Sequence, residues 1–145
     1  SSATEFIYDR PFQWGSRRIG PDIHRVGGKY NHMWHYRHMK NPRDVTPGSI
    51  MPNYPWLYDG KIKYTTLPRK MKVLASLGAP YSEEEISNSV ELAKEQAKSI
   101  MAELVNDGVP AQMEDRDIIA LIAYLQRLGT DLGSTPDEVD VEEGE

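Results

Sequence analysis

The sequence predicts an all-α fold with long loops. Two stretches in the second half of the chain show apolar residues at helical spacing, and one of them is opened by a capping box. The rest of the chain holds most of the ten prolines and eleven glycines without sustained apolar periodicity. Because these residues interrupt regular elements, we expect few helices and long connections between them.

The first third of the chain is predicted to be mostly loop. Residues 1–30 show no apolar periodicity and are interrupted repeatedly by proline and glycine. A first helix is predicted from Asn31, as N-cap, to about Lys40. Pro42 ends it, because the residue before a proline avoids helical backbone angles. Residues 41–67 contain four prolines and are predicted to be an irregular loop, a length that is usually functional.

Two further helices are predicted in the middle of the chain. Pro68, a residue favoured in a first helical turn, begins one that Gly78 ends. Ser82, followed three residues later by Glu85, forms a capping box and predicts a long helix to about Asn106. The apolar residues of this helix recur at spacings of four and three and share one stripe: Ile86, Val90, Ala93, Ala97, Ile100 and Leu104.

A last helix is predicted from about Glu114 to Leu128, with acidic residues in its first turn and Arg127 in its last. The predicted buried face consists of Ile118, Leu121, Ile122, Leu125 and Leu128. We expect one domain over residues 1–132. Residues 133–145 form an acidic tail that is predicted to be disordered.

Composition narrows the classes of function. The longest clear apolar run, residues 118–123, is far below the roughly 20 residues of a membrane helix. No signal peptide is recognisable, so an export signal is expected to lie outside this sequence if the protein is exported. The chain has no cysteine, which excludes disulfides and thiolate metal sites within it. No nucleophile–base pair or phosphate-binding glycine pattern supports an enzyme.

Charge is distributed unevenly. Residues 1–80 carry thirteen Lys or Arg and five Asp or Glu, a net charge of +8, whereas residues 81–145 carry −13. The basic residues are scattered among Pro, Gly and Trp rather than clustered, which argues against a nucleic-acid partner. This polarity is typical of a protein that docks a partner on one face.

Three histidines on the predicted first helix are candidates for a metal site. His32, His35 and His38 are spaced three residues apart, so they span roughly 120° of arc and about 9 Å of rise. Zinc-binding helices use positions i and i+4 instead. We interpret the trio as structural or solvent-facing, and keep a small metal-binding protein as an alternative.

Met51 is the other candidate ligand. It lies between Ile50 and Pro52 in the proline-rich loop, and its thioether is a soft ligand that suits haem iron or copper(I). The nearby prolines would hold the sulfur in place with little loss of chain entropy. A methionine that fills a gap under a loop is more common, and from the residues alone this alternative stays open.

Several long blocks are specific enough to suggest a family: YDRPFQWGSRR at 8–18, RVGGKY at 25–30, MPNYPWL at 51–57 and IIALIAYLQRLGTD at 118–131. Shorter matches are Gly20-Pro21-Asp22, Trp34-His35, His38 and Asn41-Pro42-Arg43. In order, over about residues 5–132, these resemble mono-haem subunit II (the FixO/CcoO family) of cbb₃-type cytochrome c oxidases.

The resemblance implies a cytochrome c-like domain that transfers electrons and is not an enzyme by itself. It would pass electrons through a c-type haem to the catalytic haem–copper subunit, on the periplasmic side of the bacterial inner membrane. The expected partners are that subunit and the other c-type cytochrome subunit. In this family a membrane anchor helix and a Cys-x-x-Cys-His motif come first, and we expect both upstream of Ser1.

The missing motif has consequences for the cofactor. We expect haem c in the parent protein and none on this chain, which lacks the N-terminal haem-attachment helix. Contact with the membrane is expected only through the anchor. A haem-free structural or interaction module of the oxidase is the alternative.

Individual roles follow from the resemblance by position. Met51 matches the distal axial ligand of the haem iron. Pro21 matches the proline whose carbonyl accepts a hydrogen bond from the proximal histidine and so orients that ligand. Tyr124 lies on a helix that resembles the terminal helix of cytochromes c. Five further residues are expected to line the haem edge or pair with its propionates: Arg17, Arg18, Trp34, Tyr54 and Trp56.

Overall fold

The computed structural model describes residues 3–15, 20 and 22–130 of the chain, and these form helices joined by irregular segments. Within these ranges there is no strand, only an isolated antiparallel bridge between Lys61 and Arg116. The all-α prediction is therefore confirmed. The acidic tail predicted at 133–145 lies outside the described residues.

The α-helices of the described residues are α1 His32–Lys40, α2 Trp56–Asp59, α3 Leu67–Ser76, α4 Glu83–Asn106 and α5 Asp117–Arg127. Short 3-10 turns lie at Ala3–Phe6, Pro42–Asp44, Tyr64–Thr66 and Ala111–Met113. Residues 41–67, predicted to be irregular throughout, thus contain three single turns of helix. No helix of the described ranges is long and apolar enough to cross a membrane.

Two helix starts follow directly from local sequence. The Asn31 side chain accepts a 2.8 Å hydrogen bond from the Trp34 N–H and caps α1 as predicted. At α4, the Ser82 hydroxyl accepts from the Glu85 N–H at 3.2 Å, and the Glu85 carboxylate accepts from the Ser82 N–H at 2.8 Å. These bonds, first to the backbone and then to the side chain of Ser82, lower the pKa of Glu85. The predicted capping box is confirmed.

The start of α5 differs from the prediction, which placed it at about Glu114. The helix begins at Asp117 because the preceding backbone is bonded to a distant segment. The Ile62 N–H donates to the Asp115 carbonyl at 2.8 Å, and the Asp117 N–H donates to the Gly60 carbonyl at 3.1 Å. These long-range bonds hold residues 114–116 outside the helix. The start of α3 at Leu67, one residue before Pro68, is a smaller difference.

The chain divides into two compact units, and the larger covers Asn31–Tyr124. Leu104, Ile118 and Ile122 have no exposed surface, and burial of such side chains stabilises the fold by about 1.5–3 kcal/mol each. Ile119, absent from the predicted face of the last helix, is also buried, whereas Leu121 is only half-buried. The buried cluster comprises Tyr36, Ala97, Ile100, Met101, Leu104, Val109, Ile118, Ile119 and Ile122.

The second unit combines Ser1–Tyr30 with Leu125–Glu145. Within it, the Gly27 N–H donates to the Leu128 carbonyl at 3.0 Å. The side-chain amide of Gln126 accepts from the Gly28 N–H at 2.9 Å and donates to the Tyr30 carbonyl at 2.7 Å. One glutamine thereby bonds the residue 27–30 segment to the C-terminal end of α5.

Candidate functional site

The Met51 loop (residues 49–56) is bonded to the end of α1. The Tyr54 N–H donates to the Met39 carbonyl at 3.1 Å. Within the loop, the Met51 N–H donates to the Ser49 hydroxyl at 3.2 Å. The Met51 residue is half-buried. Its position is therefore set by hydrogen bonds of the main chain on either side of it.

A tyrosine pair fixes the far end of the loop. The Tyr58 hydroxyl donates to the main-chain carbonyl of Tyr36, in the middle of α1, at 2.5 Å. The two rings meet edge to face with centroids 5.1 Å apart. Burial, followed by the neighbouring Tyr36, raises the pKa of Tyr58, so the hydroxyl stays a donor at ordinary pH. Burial also raises the pKa of Tyr36.

The segment after α2 is joined to the start of α5. In addition to the bonds of Gly60 and Ile62, the Arg116 guanidinium donates to the Asp59 carbonyl at 2.8 Å. Gly60 lies close to Asp117, because a Cβ at Gly60 would lie 2.1 Å from a carboxylate oxygen of Asp117 and would displace that side chain. Residues 54–62 are consequently held by long-range hydrogen bonds to α1 and to the residues at the start of α5.

The Met51 loop carries two aromatic residues and one exposed aliphatic residue. Tyr54 and Trp56 meet at ring centroids 5.3 Å apart and an angle of 74°. Trp56 is 59% exposed and Ile50, directly before Met51, is 89% exposed. Exposed apolar side chains close in sequence to a methionine are compatible with a site that an apolar group covers.

The three histidines of α1 occupy three different environments. His35 is 2% exposed; burial first, then the imidazoles of His32 and His38, lowers its pKa. His38 stacks on Trp34 with centroids 4.5 Å apart, and burial lowers its pKa as well. His32 lies 3.6 Å from a carboxylate oxygen of Glu103. Among the described residues, no group of three or more His, Cys, Asp or Glu is arranged to hold a metal ion.

The predicted site residues fall into three groups. Met51 and Tyr54 lie in one loop, and Trp56 begins α2 directly after it. Trp34 lies on α1, where its ring stacks on His38. The remaining three lie outside the described residues: Arg17, Arg18 and Pro21.

The sequence analysis did not predict the contact between Tyr36 and Tyr58. The only hint in the sequence was that Tyr58 follows Tyr54 by four positions.

The residues present fit the distal side of a c-type haem. A half-buried thioether with exposed apolar neighbours offers a soft ligand and an apolar surface. Covalent attachment of the haem is a different matter, because the 145 residues include no cysteine. Thioether bonds to a haem would have to come from cysteines that this sequence does not contain.

Fold and site together define a class of all-α domain that presents one candidate ligand for a soft metal on a fixed loop. The sequence model of a protein family described as "Cytochrome C oxidase, mono-heme subunit/FixO" matches residues 1–132. The chain belongs to this family of mono-haem cytochrome c oxidase subunits, and the resemblance seen in the sequence is confirmed. Among curated proteins no significant match was found. Membership implies haem in the parent protein and a membrane-associated oxidase complex as its setting.

Proposed function

We propose that this chain is part of the electron-transfer subunit of a cbb₃-type terminal oxidase. It would pass electrons through a c-type haem to the catalytic haem–copper subunit, and it is not an enzyme by itself. The observation that supports this best is the family match over residues 1–132, which includes the Met51 loop. Electron transfer needs a positioned cofactor rather than an acid–base pair, which agrees with a site that offers a thioether and aromatic rings.

Within this proposal, Met51 would hold the haem iron through its thioether. A bound haem supplies a one-electron couple whose reduction potential a Met/His ligand pair raises. The chain's own contribution is to hold the sulfur ready. The hydrogen bonds of Tyr54 to Met39 and of Tyr58 to Tyr36 hold the chain that follows Met51 on α1, so less ordering is needed when the ligand binds.

The other predicted residues receive supporting roles. Tyr54 and Trp56 would cover the haem edge and exclude water, which also tunes the reduction potential. Trp34 would pack along the edge, Arg17 and Arg18 would pair with propionates, and the Pro21 carbonyl would orient the proximal histidine. We further propose that residues 1–132 act as one cytochrome c-like domain.

The proposed setting is the periplasmic side of the bacterial inner membrane. The partners are the catalytic subunit and the other c-type cytochrome subunit. The uneven net charge, +8 on residues 1–80 against −13 on residues 81–145, supports docking on a charged partner.

Electron delivery in the purified oxidase complex tests this function. The fully reduced complex is mixed with oxygen, and the oxidation of each haem is followed optically. We expect the haem of this subunit to be oxidised within one turnover, by way of the catalytic centre. A complex without this subunit that retains full oxygen consumption from the same donor would contradict the proposal.

The absence of cysteine supports a second candidate, a haem-free interaction module of the oxidase. A pyridine haemochrome assay on this subunit, isolated from the purified complex, separates the two. A thioether-linked haem on the subunit supports the cytochrome, whereas its absence from an active complex supports the module.

A further inference from the structure

Helix α3 has an outward side that the electron-transfer function does not use. We call it the α3 face, and it consists of Thr66, Arg69, Lys70, Val73, Leu74 and Leu77. Their spacing of three and four places them along one side of the helix. The first five line a common shallow depression. Val73, Leu74 and Leu77 are 53%, 46% and 78% exposed, so three aliphatic side chains lie together in water.

The opposite side of α3 accounts for its packing in the fold. Met71 and Ala75, four residues apart, are half-buried, and the helix contacts α4. The α3 face is thus not the side by which the helix joins its neighbours. Exposing three neighbouring aliphatic residues is unfavourable without something that covers them.

The charged residues of α3 are not compensated by partners within the helix. Its three charged residues are Arg69, Lys70 and Lys72, all basic. None of them forms an ion pair with another described residue. Arg69 and Lys70 lie near the N-terminus of the helix, where the macrodipole favours acidic side chains. A negatively charged surface outside the chain would compensate both features.

We propose that the α3 face docks on anionic phospholipid headgroups of a bilayer, with Val73, Leu74 and Leu77 inserted at the boundary with the acyl chains. A helix with basic and aliphatic residues on one exposed side is typical of such interfacial binding. Protein–protein interfaces are enriched in aromatic residues and arginine and depleted of lysine. This face has one arginine but no aromatic residue, and it includes Lys70. The family's membrane-associated complex places a bilayer within reach.

This inference goes beyond electron transfer and does not depend on Met51 or on haem. It assigns α3 a role of its own, which is to orient the domain on the membrane surface. Each basic residue near an anionic surface strengthens binding about five-fold. The aliphatic residues add to this, and their contribution is insensitive to salt.

Vesicle flotation of the 145-residue chain tests the proposal, with phosphatidylcholine vesicles that contain or lack phosphatidylglycerol. We expect binding to the anionic vesicles only, weakened by added salt. The double variant Arg69→Gln/Lys70→Gln should lower the partition coefficient roughly twenty-fold. The double variant Leu74→Gln/Leu77→Gln should lower it at least about ten-fold.

Matched controls exclude a general loss of charge or apolarity. Lys40→Gln/Arg43→Gln removes one lysine and one arginine from exposed positions, and Leu92→Gln removes a leucine that is 50% exposed. Both should bind like the unmodified chain. Circular dichroism checks that every variant is folded.

Two kinds of outcome would overturn the proposal. One is binding that the α3 variants and the controls weaken equally, or no binding to anionic vesicles at all. The other is that the α3 variants lose affinity for the purified catalytic subunit but keep their affinity for vesicles, which would make the face a protein interface. Neither outcome affects the assignment of Met51, which is tested separately.

Discussion

The hydroxyl of Tyr58 donates a 2.5 Å hydrogen bond to the main-chain carbonyl of Tyr36, 22 residues earlier in the chain. The bond joins the short helix after the Met51 loop to the middle of α1. Since burial keeps the Tyr58 hydroxyl protonated, the contact persists across the ordinary pH range. The bond thus anchors the chain to α1 seven residues after the candidate haem ligand.

Replacing Tyr58 with Phe should lower the free energy of unfolding by about 1–2 kcal/mol, because the ring is kept and one hydrogen bond is lost. Urea denaturation measures this change. Tyr124, which is 60% exposed, is the matched control, and Tyr124→Phe should stay within about 0.5 kcal/mol. Equal effects for the two variants would show that the Tyr58 hydroxyl contributes nothing specific.

Gln126 should be intolerant of even an isosteric change. Gln126→Glu removes the donor to the Tyr30 carbonyl and places a carboxylate against that oxygen. We expect a loss of about 2 kcal/mol and faster hydrogen exchange at the Gly28 N–H. Gln96→Glu, at an exposed position of α4, should change neither quantity. Unaltered exchange at Gly28 in Gln126→Glu would contradict the bridging role.

Alanine substitutions at Gly27 and Gly48 test two different effects, which are steric crowding at Gly27 and backbone strain at Gly48. A Cβ at Gly27 would lie 2.4 Å and 2.7 Å from the carbonyl oxygens of Gln126 and Leu128. Gly48 has a φ of +80° but open space around it. Gly27→Ala should therefore destabilise by about 3 kcal/mol, and Gly48→Ala by only about 1 kcal/mol. The reverse order in urea denaturation would mean that the end of α5 does not approach Gly27 so closely.

Stability should fall in mildly acidic solution because of His35 and His38. Their pKa values are lowered from 6.5, so below that pH the unfolded chain binds more protons than the folded chain. Their contribution to stability is present above pH 6.5 and is lost as the pH falls through the lowered values.

Urea denaturation at several pH values measures this dependence. His35→Gln should flatten it. An identical slope in His35→Gln and the unmodified chain would contradict the role of His35.

Local signals predicted the fold well. The caps at Asn31 and Ser82 need only residues three positions away, so the sequence contains all the information that sets them. The predicted start of α5 was wrong because the observed start depends on hydrogen bonds to residues 60–62. Those residues lie more than fifty positions earlier in the sequence. The predicted buried face of α5 was incomplete for a similar reason. Ile119 lies outside the apolar stripe of the helix and is buried by residues from other parts of the fold.

In the candidate site too, local sequence predicted some features and missed those that depend on the fold. A methionine in a proline-rich loop with aromatic neighbours identified Met51 as a candidate ligand from sequence alone. The bonds that position the loop, from Tyr54 to Met39 and from Tyr58 to Tyr36, join segments whose approach no sequence spacing reveals. Predicting them requires the fold.

Replacement of Met51 by Leu in the haem-loaded parent protein tests the central claim most directly. Leucine keeps the volume and apolarity, so packing should lose less than about 1.5 kcal/mol. Met39→Leu is the control, because Met39 packs against the buried cluster and has no proposed contact with iron.

The measurements are the methionine–iron charge-transfer band in the red and the reduction potential. We predict that Met51→Leu abolishes the band and lowers the potential, whereas Met39→Leu changes neither. If Met51→Leu retains both the band and the potential, another residue holds the iron and the assignment is wrong.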